Sequence, residues 1–163
     1  MGRDASKAAG NVWYEARMNA AKYDDRLRSR EGAAERLGMS VSSVADTELG
    51  LTKFMPVDKA VLMADAYNAP HLLNYYCIND CPIGCRRPMS DQNLDIDRVT
   101  VKLLKSLRVS QLEQVKEILL EIAEDGVISD DEIPELRKVM DYLNEVSKVL
   151  SELQTISKRV LKE

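Results

Sequence analysis

The chain is poor in the residues that build pleated sheets: of 163 residues one is Phe and one is Trp, aromatics make up 5% in all, and only seven Gly and five Pro punctuate it. Ala, Leu, Glu, Lys and Arg are abundant instead, and these lose little rotamer freedom in a helix, so an all-α fold is expected. No stretch approaches the roughly 20 apolar residues that span a bilayer, and no apolar run follows the opening MGRDASKAAG, so no membrane association is expected and the location is expected to be cytoplasmic. One histidine, His71, stands without an Asp or Ser arrangement around it, and no Gly-rich phosphate loop occurs. With neither a nucleophile–base pair nor a cofactor motif, no enzyme activity and no cofactor are expected.

A surplus of positive charge is missing as well. Residues 1–75 carry ten Lys/Arg against ten Asp/Glu, and residues 91–163 carry eleven against sixteen. Neutralising phosphates drives most non-specific affinity for nucleic acid, so any DNA-binding role has to rest on where charges are placed, not on their sum.

What is present is a succession of short apolar-patterned segments. Residues 1–10 read as a flexible N-terminus. Val12 to Arg26 spaces Val12, Ala16, Ala20 and Tyr23, with Trp13 and Met18 alongside, as one face of a helix. Ser29 is placed to cap a second helix, Arg30–Leu37, with Ala33, Ala34 and Leu37 inward, and Gly38 stands where a left-handed terminator belongs. After Met39 and Ser40 a third segment runs from Val41 to Leu49, with Val44 inward and Gly50 closing it. Pro56 opens a fourth, Val57–Tyr67, carrying Val61, Leu62, Ala64 and Ala66, and Pro70 a fifth through Leu72, Leu73 and Tyr76. Residues 77–95 hold two prolines, a glycine and no helical period, the composition of a linker. Beyond it, Ile96–Leu107, Leu112–Ala123 and a long segment from Asp130 to about Lys162 read as helices. The long one repeats Ile133, Leu136, Val139, Met140, Leu143, Val146, Leu150, Leu153, Ile156 and Val160 at steps of three and four, a coiled-coil-like stripe that needs neighbours, so residues 96–163 are expected to form a homodimer.

The stretch Ser29 to Lys53, SREGAAERLGMSVSSVADTELGLTK, resembles the helix-turn-helix of the lambda-repressor-like, Cro-type family. The likeness lies in Ala34 where two helices cross, Gly38 at the turn, Val44 in the core of the second helix and Glu48-Leu49-Gly50 as the E-x-G close, and it spans about residues 11–76. It implies a five-helix DNA-binding domain followed by a helical C-terminal domain with one long terminal helix. It further implies that Ser40, Val41, Ser42, Ser43 and Asp46 face bases of double-stranded DNA, and that Arg28, Arg30, Thr52 and Lys53 meet phosphates. The usual base readers Arg, Gln and Asn are absent from that set. Arg30 stands where the family commonly has Gln, Thr47 where an aliphatic is commoner, and Gly32 should weaken its helix by about 1 kcal/mol relative to Ala. The expected function is a sequence-specific transcriptional regulator of phage or bacterial type, a repressor-like dimer; the alternative is an adaptor that keeps the scaffold and binds protein.

Two further clusters stand out in the sequence. Cys77, Cys81 and Cys85 with His71 upstream make a Cys₃His set, but three evenly spaced thiols without a second pair fit reduced structural or surface thiols better than zinc, a redox or intermolecular role being the third reading, with Cys85 beside Arg86-Arg87 in the most thiolate-favouring setting. EDGVISDDE, Glu124 to Glu132, echoes a calcium loop, yet counting back from Gly126 puts Ala123 at an obligatory ligand position. A helix stop at Gly126 and a Ser129-x-x-Glu132 capping box account for it.

Overall fold

The structure, a computed structural model, describes residues 5–123 and 128–161. Among the described residues it is all-helical, with eight α-helices and no strand: α1 (Val12–Ala20), α2 (Arg30–Leu37), α3 (Val41–Glu48), α4 (Val57–Ala66), α5 (His71–Asn79), α6 (Ile96–Ser106), α7 (Val109–Ala123) and α8 (Ile133–Leu161). None is long and apolar enough to cross a membrane. The chain divides into two compact units, Met1–Arg87 with Lys158–Glu163, and Pro88–Ser157.

In the first unit the helix boundaries follow local chemistry. Ser29 Oγ accepts from Gly32 N–H at 3.0 Å and Ser40 Oγ from Ser43 N–H at 3.1 Å, satisfying amides that the first turns of α2 and α3 leave open. Both helices end on left-handed glycines, Gly38 at φ 62° and Gly50 at φ 67°, with Met39 N–H returning to Ala34 and Leu51 N–H to Asp46. The core gathers Trp13, Ala16, Leu27, Ala33, Ala34, Leu37, Val44, Ala60, Met63, Tyr67 and Leu72. Trp13 and Tyr75 meet edge to face, ring centroids 6.2 Å apart.

Several sequence expectations change. Tyr23 is 93% exposed because α1 stops at Ala20, so the helical period that enrolled it does not extend that far. In α4 the inward residues are Ala60, Met63 and Ala64, while Val61 and Leu62 lie exposed. Ala5–Ala8, in the segment expected to be flexible, form a 3-10 turn that buries Ala8. Gly32 is no defect: a Cβ there would overlap the carbonyl oxygen of Arg26, so the 3-10 turn Asp25–Arg28 packs on α2 only because that position is bare. Within the stretch read as a linker, α5 continues to Asn79 and a 3-10 turn follows at Gly84–Arg86.

The second unit is thinly filled. Val99 and Val139 are its buried hydrophobics among the described residues, and α7 buries no residue at all. Polar contacts do much of the joining: Glu152, 3% exposed, accepts from Ser90 Oγ at 2.7 Å and from Lys102 Nζ at 3.2 Å. Tyr142 donates to the Ser106 carbonyl at 2.6 Å, and Ser147 to that of Pro88 at 3.2 Å. The 29-residue α8 is a rod of about 43 Å. Gly126 lies outside the described residues, but Glu132 accepts from the Ser129 N–H at 2.7 Å, one half of a capping box.

Candidate nucleic-acid interface

The face that sequence likeness points to is the N-terminal half of α3, and its support begins at Glu48. Val44 and Glu48 lie one turn apart on the same side of α3 and are both 0% exposed. A carboxylate taken fully out of water has to be paired. Glu48 is held by the Arg17 guanidinium through Nε and, at 3.1 Å, through a terminal nitrogen; Arg30 Nε adds a third donor at 2.7 Å. Arg17, itself buried, also donates to the carbonyls of Leu27 and Arg28 at 2.7 and 3.1 Å, and its guanidinium stacks near Tyr14, 5.5 Å from the ring centre. One guanidinium thus ties α1, the turn before α2, and α3 together. Beside this cluster the Tyr67 phenol is pushed well above its usual range, chiefly by burial and then by the Glu48 charge. Asn11 does a similar task at the other edge, capping α1 through Trp13 N–H at 2.9 Å and donating to the Thr47 carbonyl at 3.2 Å.

On the outward side Val41 and Ser42 are exposed, and Ser40 and Ser42 share a hydroxyl contact of 3.1 Å. Ser43 is different. Lys59, from α4, donates to its hydroxyl at 2.9 Å and its carbonyl at 3.1 Å, so that hydroxyl already has a cation against it. Partial burial pulls the Lys59 ammonium below its ordinary range while the nearby Asp46 carboxylate opposes that, which sets a positive charge beside the one acid on the face. Thr47, buried, turns its hydroxyl back to the Ser43 carbonyl at 2.9 Å and stands 3.4 Å from Thr52.

The family models, the curated proteins and the solved structures offer no match to this chain. The family likeness therefore rests on the residues themselves.

Of the four residues expected at phosphates, Arg28 is exposed with Asp25 at 3.0 Å, and Lys53 is exposed with its ammonium 5.7 Å from the centre of the Phe54 ring. Thr52 is half-buried. Arg30 has its side chain 13% exposed and Nε committed to Glu48, a place that makes it a positioning residue for α3. No local sequence motif singles out Arg17, Asn11 or Lys59, whose contacts join distant stretches of the chain. In the segment that follows α3, Leu51, Phe54 and Val57 are exposed, Phe54 by 81%.

The Cys₃His set is not assembled: among the described residues no three His, Cys, Asp or Glu side chains gather to hold a metal ion. Cys77, Cys81 and Cys85 are free thiols, and His71 begins α5. The second unit contains an open cleft of about 880 Å³, lined among others by Lys102, Lys105, Arg108, Tyr142 and Glu152, which no sequence pattern indicates.

Proposed function

We propose that this chain is a sequence-specific DNA-binding transcriptional regulator of the lambda-repressor-like kind, working as a dimer. In this reading α1–α5 are the helix-turn-helix domain, α3 enters the major groove, and residues 96–163 dimerise. The observation that carries it is the rigging of α3: a helix capped by Ser40, stopped at Gly50 and bolted from behind by Arg17, Arg30 and Glu48, with Val41 and Ser42 presented outward. A helix that reads base edges has to be held rigidly relative to the residues that grip the backbone, and Arg17 joins α3 to the turn bearing Arg28. Val41 suits a thymine methyl and Ser42 suits several base edges, while Asp46 accepts from cytosine, its charge countered by Lys59. Such a set discriminates modestly, so backbone contacts, DNA shape and half-site spacing supply the remainder.

Dimerisation is supported by the second unit. Leu104, Val109, Leu112 and Leu120 are exposed, and α7 has no buried face of its own; a second copy would cover them and place two α3 helices on half-sites about 34–36 Å apart.

The adaptor reading is favoured by one observation, the exposure of the large apolar residues Leu51, Phe54 and Val57 in the segment after α3, residue types suited to a protein partner. Sheared genomic DNA at about 50 mM salt separates the two. A regulator binds and weakens steeply as salt is raised. Failure to bind any fragment would exclude it and leave the adaptor.

A further inference from the structure

Cys77, Cys81 and Cys85 take no part in the DNA-facing surface, yet the backbone arranges two of them around one glycine. After α5 ends, the N–H groups of Asp80 and Cys81 both close on the Tyr76 carbonyl, at 2.9 and 3.0 Å, and the chain turns back. Gly84 is then laid against Cys77. A Cβ on Gly84 would stand 2.5 Å from the Cys77 carbonyl oxygen and 2.8 Å from the Cys77 Cβ, an approach only glycine makes without displacement. From the same glycine, the backbone N–H donates to Cys81 Sγ at 3.3 Å. Gly84 thus touches the root of one thiol side chain and the sulfur of the other.

The three sulfurs are not alike. Cys81 Sγ is the sulfur that the Gly84 N–H reaches, and that contact assigns it the attacking role. The Cys77 thiol is pushed above its ordinary range, by burial first and then by the neighbouring Cys81, so it keeps its proton until a partner forms. Cys85, exposed, donates its S–H to the Pro82 carbonyl at 3.4 Å.

We propose that Cys77 and Cys81 are a hydroperoxide-sensitive thiol pair that closes to an intramolecular disulfide. The Cys81 thiolate attacks the terminal oxygen of the peroxide; the O–O bond breaks, and the departing hydroxide or alkoxide takes a proton, leaving a sulfenic acid on Cys81. Cys77 then loses its proton as its sulfur attacks Cys81 Sγ; the S–O bond breaks and water leaves. Two thiols give two electrons and the peroxide is reduced. A disulfide here fastens the C-terminal end of α5 to the turn that follows it, and thiol reductants reopen it.

The test uses the full chain and hydrogen peroxide. After exposure, remaining thiols are alkylated and the chain is cleaved on the amino side of aspartates, which puts Cys77 in fragment 65–79 and both Cys81 and Cys85 in fragment 80–90. The expected product is those two fragments joined within one chain, two hydrogens lighter than their sum, with Cys85 alkylated and the link reversed by dithiothreitol. Cys77→Ser should stop at a sulfenic acid on Cys81 that dimedone traps, and Cys81→Ser should give neither product, each with a native far-UV spectrum. A Cys81–Cys85 link, a link between chains only, or alkylation of all three thiols after peroxide would overturn the pair; this peptide map needs no variant.

Discussion

Glu48 is the residue on which the first unit turns, since it is wholly buried and three guanidinium nitrogens answer it. Removing one partner of such a pair leaves an uncompensated charge in a low-dielectric interior, which costs about 3–5 kcal/mol. Glu48→Ala should therefore lower the urea midpoint sharply with little change in slope, and the paired replacement Arg17→Met with Glu48→Leu should recover much of that loss. A single-variant loss below about 1 kcal/mol would show that the pair is not what holds α3. Gly32 gives a test of opposite sign to intuition. Helix propensity alone says that Gly32→Ala gains about 1 kcal/mol. Because the new Cβ would collide with the Arg26 carbonyl, we expect a loss of about 1–3 kcal/mol, read from thermal unfolding. At the outer face, Ser42→Ala should change which fragments are preferred in a selection, whereas Arg28→Ala should weaken all fragments alike and lower the salt slope by about 0.9. If both variants acted in the same way, Ser42 would not be a base reader.

At the scale of elements, α2 and α3 were legible because their boundaries are local chemistry: Ser29 and Ser40 cap within three residues, and Gly38 and Gly50 supply the left-handed ends. Contacts made across long stretches of chain were not. Arg17 reaches Glu48 over 31 residues and Asn11 reaches Thr47 over 36, and a helical period treats a charged residue as outward by default. A sign was nevertheless there, since 13, 16, 17 and 20 share one face and Arg17 interrupts it in the middle. In α4 apolar residues occupy every side, so periodicity had nothing to choose between, and it is Ala60, Met63 and Ala64 that face inward. For α7 the pattern predicts an amphipathic helix, but not that its apolar side lacks a cover. Leu112→Glu with Leu119→Glu should halve the mass that light scattering finds at micromolar concentration while helicity persists. A wild-type chain that is already monomeric there would end the dimer proposal.

Taken whole, the molecule carries a net charge of −4, so in the proposed regulator long-range attraction to DNA would be weak and two linked half-site contacts would matter more than for a basic protein. The Leu112→Glu, Leu119→Glu chain should then lose affinity for DNA with two spaced half-sites while keeping its weaker binding to one, as titrations at a fixed salt concentration would reveal. Equal losses on both DNAs would mean the substitutions damage the unit of α1–α5 instead. The edge-to-face contact of Trp13 with Tyr75 has a practical bearing on separating these cases. Trp13 is the chain's one tryptophan, and the unit Pro88–Ser157 holds Tyr142 as its single aromatic residue. Indole emission accordingly watches one unit alone, whereas far-UV ellipticity sums the helices of both. Melting curves from the two signals that coincide mean that the units unfold as one cooperative block; curves that part company give each unit its own stability, without cutting the chain.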